Sequence, residues 1–461
     1  MARVGDIKQV GGERASDVAD TIRAATRSEV RGALEGLISG YHPIDIAWAM
    51  GELTAEERGR VFALLDSEAS GVVLEEVDDD ITADLAGATE EGELAEIIDA
   101  MPPDSGADAM STLPSDVQHR ILNRIPREEA RELAALLHYD EDSAGGIMTS
   151  ELIVSPPDIT AQGVLEHIRH TDVPPEAVFR VYVVDDERRL MGAIDLVEII
   201  NARDDMPLSK IMDADPVRVH HDTDQEEVVR LVDKYDLTSI PVVDAHERLL
   251  GAVTVDDVID ALQQEITEDL ASVAGASAED LLTRSPWRAA RSRVPWLLIS
   301  LGASLLSAAV IRLFAGTLEQ AVMLAAFIPV ITAMSGNSGL QSSMITVRSI
   351  ALGLVDDLSV GRLVLRQIPT ALAIALACGL VAFGAGSLLL GAAGYGLIVG
   401  AAMFCAICTG TMVGSFVPVA FRRIGVDEAL ASGPFVTTMN DALSLLIYFG
   451  IAAAMLSWLG I

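Results

Sequence analysis

From Ala429 to Ile461 the chain is an apolar run interrupted by a single charged side chain, Asp441. At 1.5 Å per helical residue Asp441 lies roughly 18 Å from Ala429, about half-way through a ~30 Å hydrocarbon layer. A carboxylate at the centre of a membrane helix costs about 2.5–3.5 kcal/mol, so such residues usually face a bundle interior or an ion path. Gly433, Thr437, Asp441 and Ser444 recur at intervals that put them on one helical face. The plainer reading is a polar helix contact with Asp441 protonated and hydrogen-bonded.

The run is the last of five apolar segments: Pro295–Ala315, Leu318–Met344, Leu363–Leu390, Leu397–Phe421 and Ala429–Leu459. Arg284, Arg288, Arg291 and Arg293 precede the first, Arg348, Arg362 and Arg366 follow the second, and Arg422 and Arg423 follow the fourth. The remaining connections carry no positive charge, so the positive-inside rule places the N-terminal part in the cytoplasm and Ile461 outside. The second segment carries Pro329 and then Ser335-Gly336-Asn337-Ser338-Gly339-Leu340-Gln341-Ser342-Ser343. This predicts an interrupted helix lining something wet, the natural partner of the Asp441 stripe.

The rest of the chain is a different material. Of 32 basic and 68 acidic residues, nine and six lie beyond residue 285, which leaves 23 and 62 before it, or about −39 against +3. Such acidity repels nucleic acid and anionic lipid and concentrates cations, although general surface acidity gives the same count. Met1 to Val10 lacks a signal-peptide core. Cys378, Cys405 and Cys408 lie in apolar segments, where small-residue packing is the expectation even for the Cys405/Cys408 pair. No HExxH, nucleophile elbow or Gly-rich phosphate loop is present, and all eight His precede residue 250 without metal spacing, so no enzyme is expected.

Residues from about 13 to 138 show short amphipathic periods such as Val61-Phe62-x-Leu64-Leu65, which predict a helical solenoid or compact helical domain. His42-Pro43 reads as a helix start. Residues 143 to 262 repeat internally: Val183-Val184-Asp185 returns as Val242-Val243-Asp244, and Leu190-Met191-Gly192-Ala193-Ile194 as Leu249-Leu250-Gly251-Ala252-Val253. Both offsets are 59, while Ile147-Met148 and Ile211-Met212 differ by 64, so the first copy holds five extra residues around Pro174-Pro175. Each copy alternates helix with short β-rich runs. An acid-rich helix, Val258–Ala274, follows without a break.

The repeat resembles a tandem pair of CBS domains. Gly251-Ala252-Val253-Thr254-Val255-Asp256-Asp257 matches that family's nucleotide motif, which implies Thr254 and Asp257 as ribose contacts and ATP as a ligand. The first copy has Asp195 and Glu198 instead. The whole chain resembles the MgtE family of magnesium channels. The signals are Gly336-Asn337-Ser338-Gly339-Leu340-Gln341, Ser432-Gly433-Pro434-Phe435-Val436-Thr437-Thr438 followed by Asp441, the lead-in Tyr139-Asp140-Glu141-Asp142-Ser143-Ala144-Gly145-Gly146-Ile147-Met148, and Glu265-Ile266-Thr267-Glu268-Asp269 as a plug helix. Glu428 departs from a Pro the family often has there.

The resemblance implies a multi-domain chain: an all-α solenoid-like N-terminal domain (1–140), an α/β tandem CBS pair (141–204 and 205–262), an acidic connecting helix (263–285) and an all-α five-helix transmembrane domain (286–461). It implies a homodimer in the bacterial inner membrane that passes Mg²⁺, with Asp441, Gly336 and Asn337 at the pore ion. Regulatory Mg²⁺ would bind Glu226, Asp236, Asp257, Asp260, Glu265, Glu268, Asp269 and Asp427. A proton-coupled or Co²⁺/Ni²⁺ transporter is the alternative; an intramembrane aspartyl protease needs a second membrane acid.

Overall fold

The computed structural model describes residues 15–27, 31–170, 178–274, 286–351, 360–424 and 433–459. These fall into two units, residues 1–262 and 263–461. The Pro174-Pro175 insertion, Arg284, Asp427, Glu428 and Ser432 lie outside the described residues, as does the side chain of Asp269.

Among the described residues, the first unit begins with ten short helices between Ala15 and Leu136. Their ends are set locally. Pro43 occupies the first turn of the helix Pro43–Met50, whose cap His42 accepts the Ile44 N–H. Thr54 and Glu57 form a reciprocal capping box on Ala55–Phe62. Apolar residues at helical spacing, among them Val61, Phe62, Leu133 and Leu136, are buried in one core with Val228, Ile240 and Val253 of the second repeat copy.

Each copy folds into a three-stranded sheet: β1 (Ile153–Ser155), β2 (Arg180–Val184) and β3 (Leu190–Asp195), then β4 (Val219–His220), β5 (Ser239–Val243) and β6 (Leu249–Thr254). The 59-residue offset holds in three dimensions. Arg180 pairs with Asp195 as Ser239 pairs with Thr254, and the register slips at Val183/Val184 as at Val242/Val243. The lead-ins are exchanged: Thr149 bonds Ala252 of the second copy, and Asp213 bonds Ala193 of the first. Gly192 and Gly251 permit this, since a Cβ on either would lie within 3 Å of a lead-in methionine and of backbone oxygen. The connecting helix begins at Val255 directly after β6 and runs to Ala274.

The second unit contains five helices long and apolar enough to cross a membrane, among the described residues. The first is Pro286–Leu313, the third Val360–Leu389, the fourth Ala393–Arg423 and the fifth Pro434–Leu459. The second corrects the sequence reading. Ile328–Ala351 is one continuous α-helix straight through residues 335–343, and the irregular backbone is the 3₁₀ stretch Val322–Phe327 before it. Pro329 is its second residue, where no intrahelical N–H is needed. The run stays helical with two of its hydroxyls bonded to the fourth helix: Ser335 donates to Ala406 O at 3.0 Å and Ser338 shares a bond with Thr411, whereas the buried Ser343 hydroxyl has no partner among the described residues. The 3₁₀ carbonyl of Leu324 accepts from buried Tyr448 of the fifth helix at 2.7 Å.

Candidate ion path and acidic crease

The second, fourth and fifth apolar helices meet where glycines remove side chains from all approaches. A Cβ on Gly414 would collide with the backbone of Gly339, and one on Gly410 would lie 2.6 Å from Ser335 O. Such close backbone packing is how apolar helices associate without a hydrophobic drive. Ser338 and Thr411 share a hydrogen bond of 2.7 Å across the same seam. The polar run is therefore split. Ser335, Ser338, Gly339, Ser342 and Ser343 are buried, whereas Asn337 and Gln341 are exposed.

Asp441 is partly exposed on the fifth helix, and the place where Gly336 would carry a Cβ is 3.7 Å from its Oδ1. The two predicted neighbours thus separate: Gly336 touches the carboxylate, and Asn337 turns to the open side of the same helix. The helix starts at Pro434, so Asp441 lies about 10 Å from its start and about 27 Å from its end. That is nearer one end than counting from Ala429 implied. The polar stripe is also less available than its spacing implied. Thr437 donates to Gly433 O at 3.3 Å and Ser444, fully buried, to Asp441 O at 2.9 Å, so both hydroxyls serve their own helix.

Sequence reasoning passed over Asn440. Its side chain is buried, its Nδ2 donates to Gly410 O at 3.5 Å, and its Oδ1 has no partner among the described residues. The signal was an amide beside the one acid in an apolar run. The Gly410/Gly414 pair on the fourth helix was equally legible as small-residue spacing.

In the first unit the acids converge on a crease between the helical domain and the second repeat copy. Asp257 is pushed up to about 7, first by burial and then by the carboxylates of Asp104 and Asp256, while Thr254 opposes the shift by donating its hydroxyl and N–H to it. Asp108, open on one side, is also pushed up to about 7 by desolvation and by Asp104, Glu141, Asp79 and Glu75. Burial raises both Glu75 and Asp260; Asp104, Glu76 and Asp260 add to the shift of Glu75, and Asp256 to that of Asp260. Repulsion among desolvated like charges is what a cation relieves.

The other predicted sensor acids do not join this crease as one group. Glu226 and Asp236 stand at opposite ends of the helix Gln225–Tyr235, about 15 Å apart along its axis, Asp236 capping it in the left-handed region at φ 51°. Glu265 is half-buried and Glu268 exposed on the connecting helix. Among the described residues no three His, Cys, Asp or Glu side chains are gathered closely enough to hold a metal ion.

The residue pattern has known relatives. A family described as a divalent cation transporter, MgtE, matches residues 328–451; the MgtE intracellular N domain matches 41–142, and CBS domains match 144–205 and 208–264. The chain is 36% identical over 326 residues to the magnesium transporter MgtE of Enterococcus faecalis, covering 71% of this chain and 72% of that one. It is 32% identical over 435 residues to the magnesium transporter MgtE of Thermus thermophilus, covering 92% and 95%. A crystal structure of the cytosolic domain of the Mg²⁺ channel MgtE in complex with ATP matches with a TM-score of 0.50 at 34% identity, over 52% of this chain and 99% of that one. The chain belongs to the MgtE family of divalent cation transporters.

Proposed function

We propose that this chain forms a homodimeric, Mg²⁺-selective channel that mediates Mg²⁺ uptake and is closed by cytoplasmic Mg²⁺. The observation that carries the reading is Asp441: a partly exposed carboxylate facing Gly336 within an apolar helix bundle. Mg²⁺ gives up water reluctantly and is commonly held by one or two carboxylates with several waters retained. Two copies of Asp441 across a dimer axis, with the exposed amides of Asn337 and Gln341 elsewhere on the second helix, suit a hydrated ion better than a dry cage.

Support for the dimer comes from the connecting helix. Val255, Ile259, Leu262, Ile266 and Leu270 form an exposed apolar stripe at helical spacing, and Val197 and Ile200 are exposed on the equivalent helix of the first copy. A second copy is the cover we assign to them. The arginines around the apolar helices favour cytoplasmic N-terminal domains, an outward Ile461 and a bacterial inner-membrane location.

In the gating step, Mg²⁺ enters the crease at Asp257 and Asp260 and binds Glu265, Glu268 and Asp269 on the connecting helix, with Glu226, Asp236 and Asp427 contributing in the dimer. Each ion replaces repulsion by attraction, so closure follows from a higher affinity of the closed state for Mg²⁺. Asp257 was matched both to a ribose contact and to a cation ligand; its acidic surroundings favour the cation. ATP then modulates the CBS pair mainly through other groups; that ATP is a ligand of this part is supported by the ATP-bound relative. Calorimetry with ATP tests it: Thr254→Val with Asp257→Ala should weaken binding only modestly, and complete loss would return the ribose to these two residues.

The test of the main reading is uptake by full-length protein in liposomes. Mg²⁺ entry should follow membrane voltage and the Mg²⁺ gradient. Entry that collapses with a proton gradient alone would favour the proton-coupled alternative, and Co²⁺ or Ni²⁺ passing in preference would overturn Mg²⁺ selectivity.

A further inference from the structure

We infer that Asn440 is a positioning residue of the ion path: its amide, seated in the space left by Gly339, fixes the rotation of the fifth apolar helix and hence the bearing of Asp441. The inference rests on the reading of Asp441 as the pore carboxylate. The Asn440 side chain is completely buried, and a Cβ on Gly339 would collide with its Nδ2 and lie 3.1 Å from both its Cγ and Gly410 O. One turn away on the same second helix, Gly336 faces Asp441. Consecutive residues of the fifth helix point about 100° apart, so contacts of Asn440 at Gly339 and of Asp441 at Gly336 together define the helix's phase.

An amide is a costly choice for this place. Its donor bond to Gly410 O is long, at 3.5 Å, and its buried Oδ1 is left without a donor among the described residues. An apolar side chain of similar size would fill the space without that cost, but it would hold no direction. The amide reaches a main-chain carbonyl of the fourth helix while wedged against the second, so it ties three helices at the residue before the carboxylate. Gly339 supplies the room that the wedge requires, while Gly410 and Gly414 let the fourth helix pack closely on the second.

The test is a size exchange in the full-length protein reconstituted in liposomes, read as Mg²⁺ uptake and as the Mg²⁺ to Ca²⁺ permeability ratio. Gly339→Ala should lower Mg²⁺ uptake by about tenfold or more, because the new methyl group expels the amide. Gly339→Ala combined with Asn440→Ala should return to the level of Asn440→Ala alone, since the methyl then occupies the vacated space. Asn440→Ala alone should conduct with a reduced Mg²⁺ preference, and Asn440→Ser, which keeps a polar group, should recover part of that preference. An equal effect of Gly339→Ala in both backgrounds, or an unchanged permeability ratio in Asn440→Ala, would overturn the inference. If Gly339→Ala fails to assemble, recovery of assembled protein in the double variant supports it and persistent failure overturns it. Asp441→Ala is run alongside: uptake surviving there removes the pore reading itself, whereas lost uptake without coupling between Gly339 and Asn440 removes only the positioning role.

Discussion

The acidic crease and the proposed ion path are both built on carboxylates, but they arrange them in opposite ways. In the crease, burial first and neighbouring carboxylates second raise the proton affinity of Glu75, Asp104, Asp108, Asp257 and Asp260. At Asp441 a single carboxylate stands among glycine-packed helices, with Gly336 beside it and Asn440 preceding it. In the function proposed above, one region would gain its sensitivity from number and repulsion, the other its selectivity from placement. A cation needs only to enter the first, whereas it must pass the second with its water.

That contrast is broken most severely if both regions respond alike to losing charge. Asp441→Ala should abolish uptake with assembly intact. Removing one carboxylate at ~4 Å from a cation forfeits several kcal/mol at an effective dielectric near 20, and about 1.4 kcal/mol is tenfold. Variants of the crease should leave uptake in place and change only its inhibition. Asp257→Asn with Asp260→Asn should raise the Mg²⁺ concentration for half-inhibition by about tenfold, as should exchanging Glu265, Glu268 and Asp269 for Gln, Gln and Asn. Deletion of residues 1–138, which removes one wall of the crease, should give Mg²⁺-insensitive uptake; an unchanged midpoint in all three would place the sensor elsewhere.

The crease should also answer to pH. Asp257 and Asp108 are raised from the ordinary carboxylate range to about 7, so the folded crease holds protons that the unfolded chain has already lost. Their contribution is fully present below about pH 4 and is lost as pH rises through about 7. Without divalent cations, hydrogen exchange of residues 103–111 and 255–262 should therefore accelerate from pH 5 to pH 8 beyond the intrinsic rate. Added Mg²⁺ should flatten that dependence, because it supplies the neutralisation that protons otherwise give. A flat profile without Mg²⁺ would mean that the acids do not repel.

The smallest effect sharpens the other side. Ser338→Ala removes one buried bond to Thr411, which should cost about 1 kcal/mol in thermal stability and leave permeation unchanged. A change in ion preference would extend the path into the seam between the second and fourth helices.

Much of this was legible in the sequence because it rests on local or periodic signals. The 59-residue offset carried over to the register of the β2–β3 and β5–β6 hairpins, since equal turns and strand lengths force equal pairing. The five apolar segments and the Pro43 helix start also follow from local chemistry. What was not legible was tertiary. Residues 335–343 read as a break because the acceptors for their hydroxyls, such as Ala406 O, belong to another helix. Asn440 was passed over for a similar reason: its meaning depends on Gly339 and Gly410, far away along the chain. The stripe at Thr437 and Ser444 had the right phase, yet periodicity does not reveal that both hydroxyls bond their own backbone.

The central claim is that the Asp441 carboxylate makes the path for Mg²⁺. Single-channel recording with Mg²⁺ as the only permeant cation, comparing the wild type with Asp441→Asn, tests it most directly, because the amide keeps the shape and removes the charge. The wild type should show unitary Mg²⁺ currents that cytoplasmic Mg²⁺ shuts, and Asp441→Asn should show none under the same gradient. Unitary currents of wild-type size in Asp441→Asn would contradict the account.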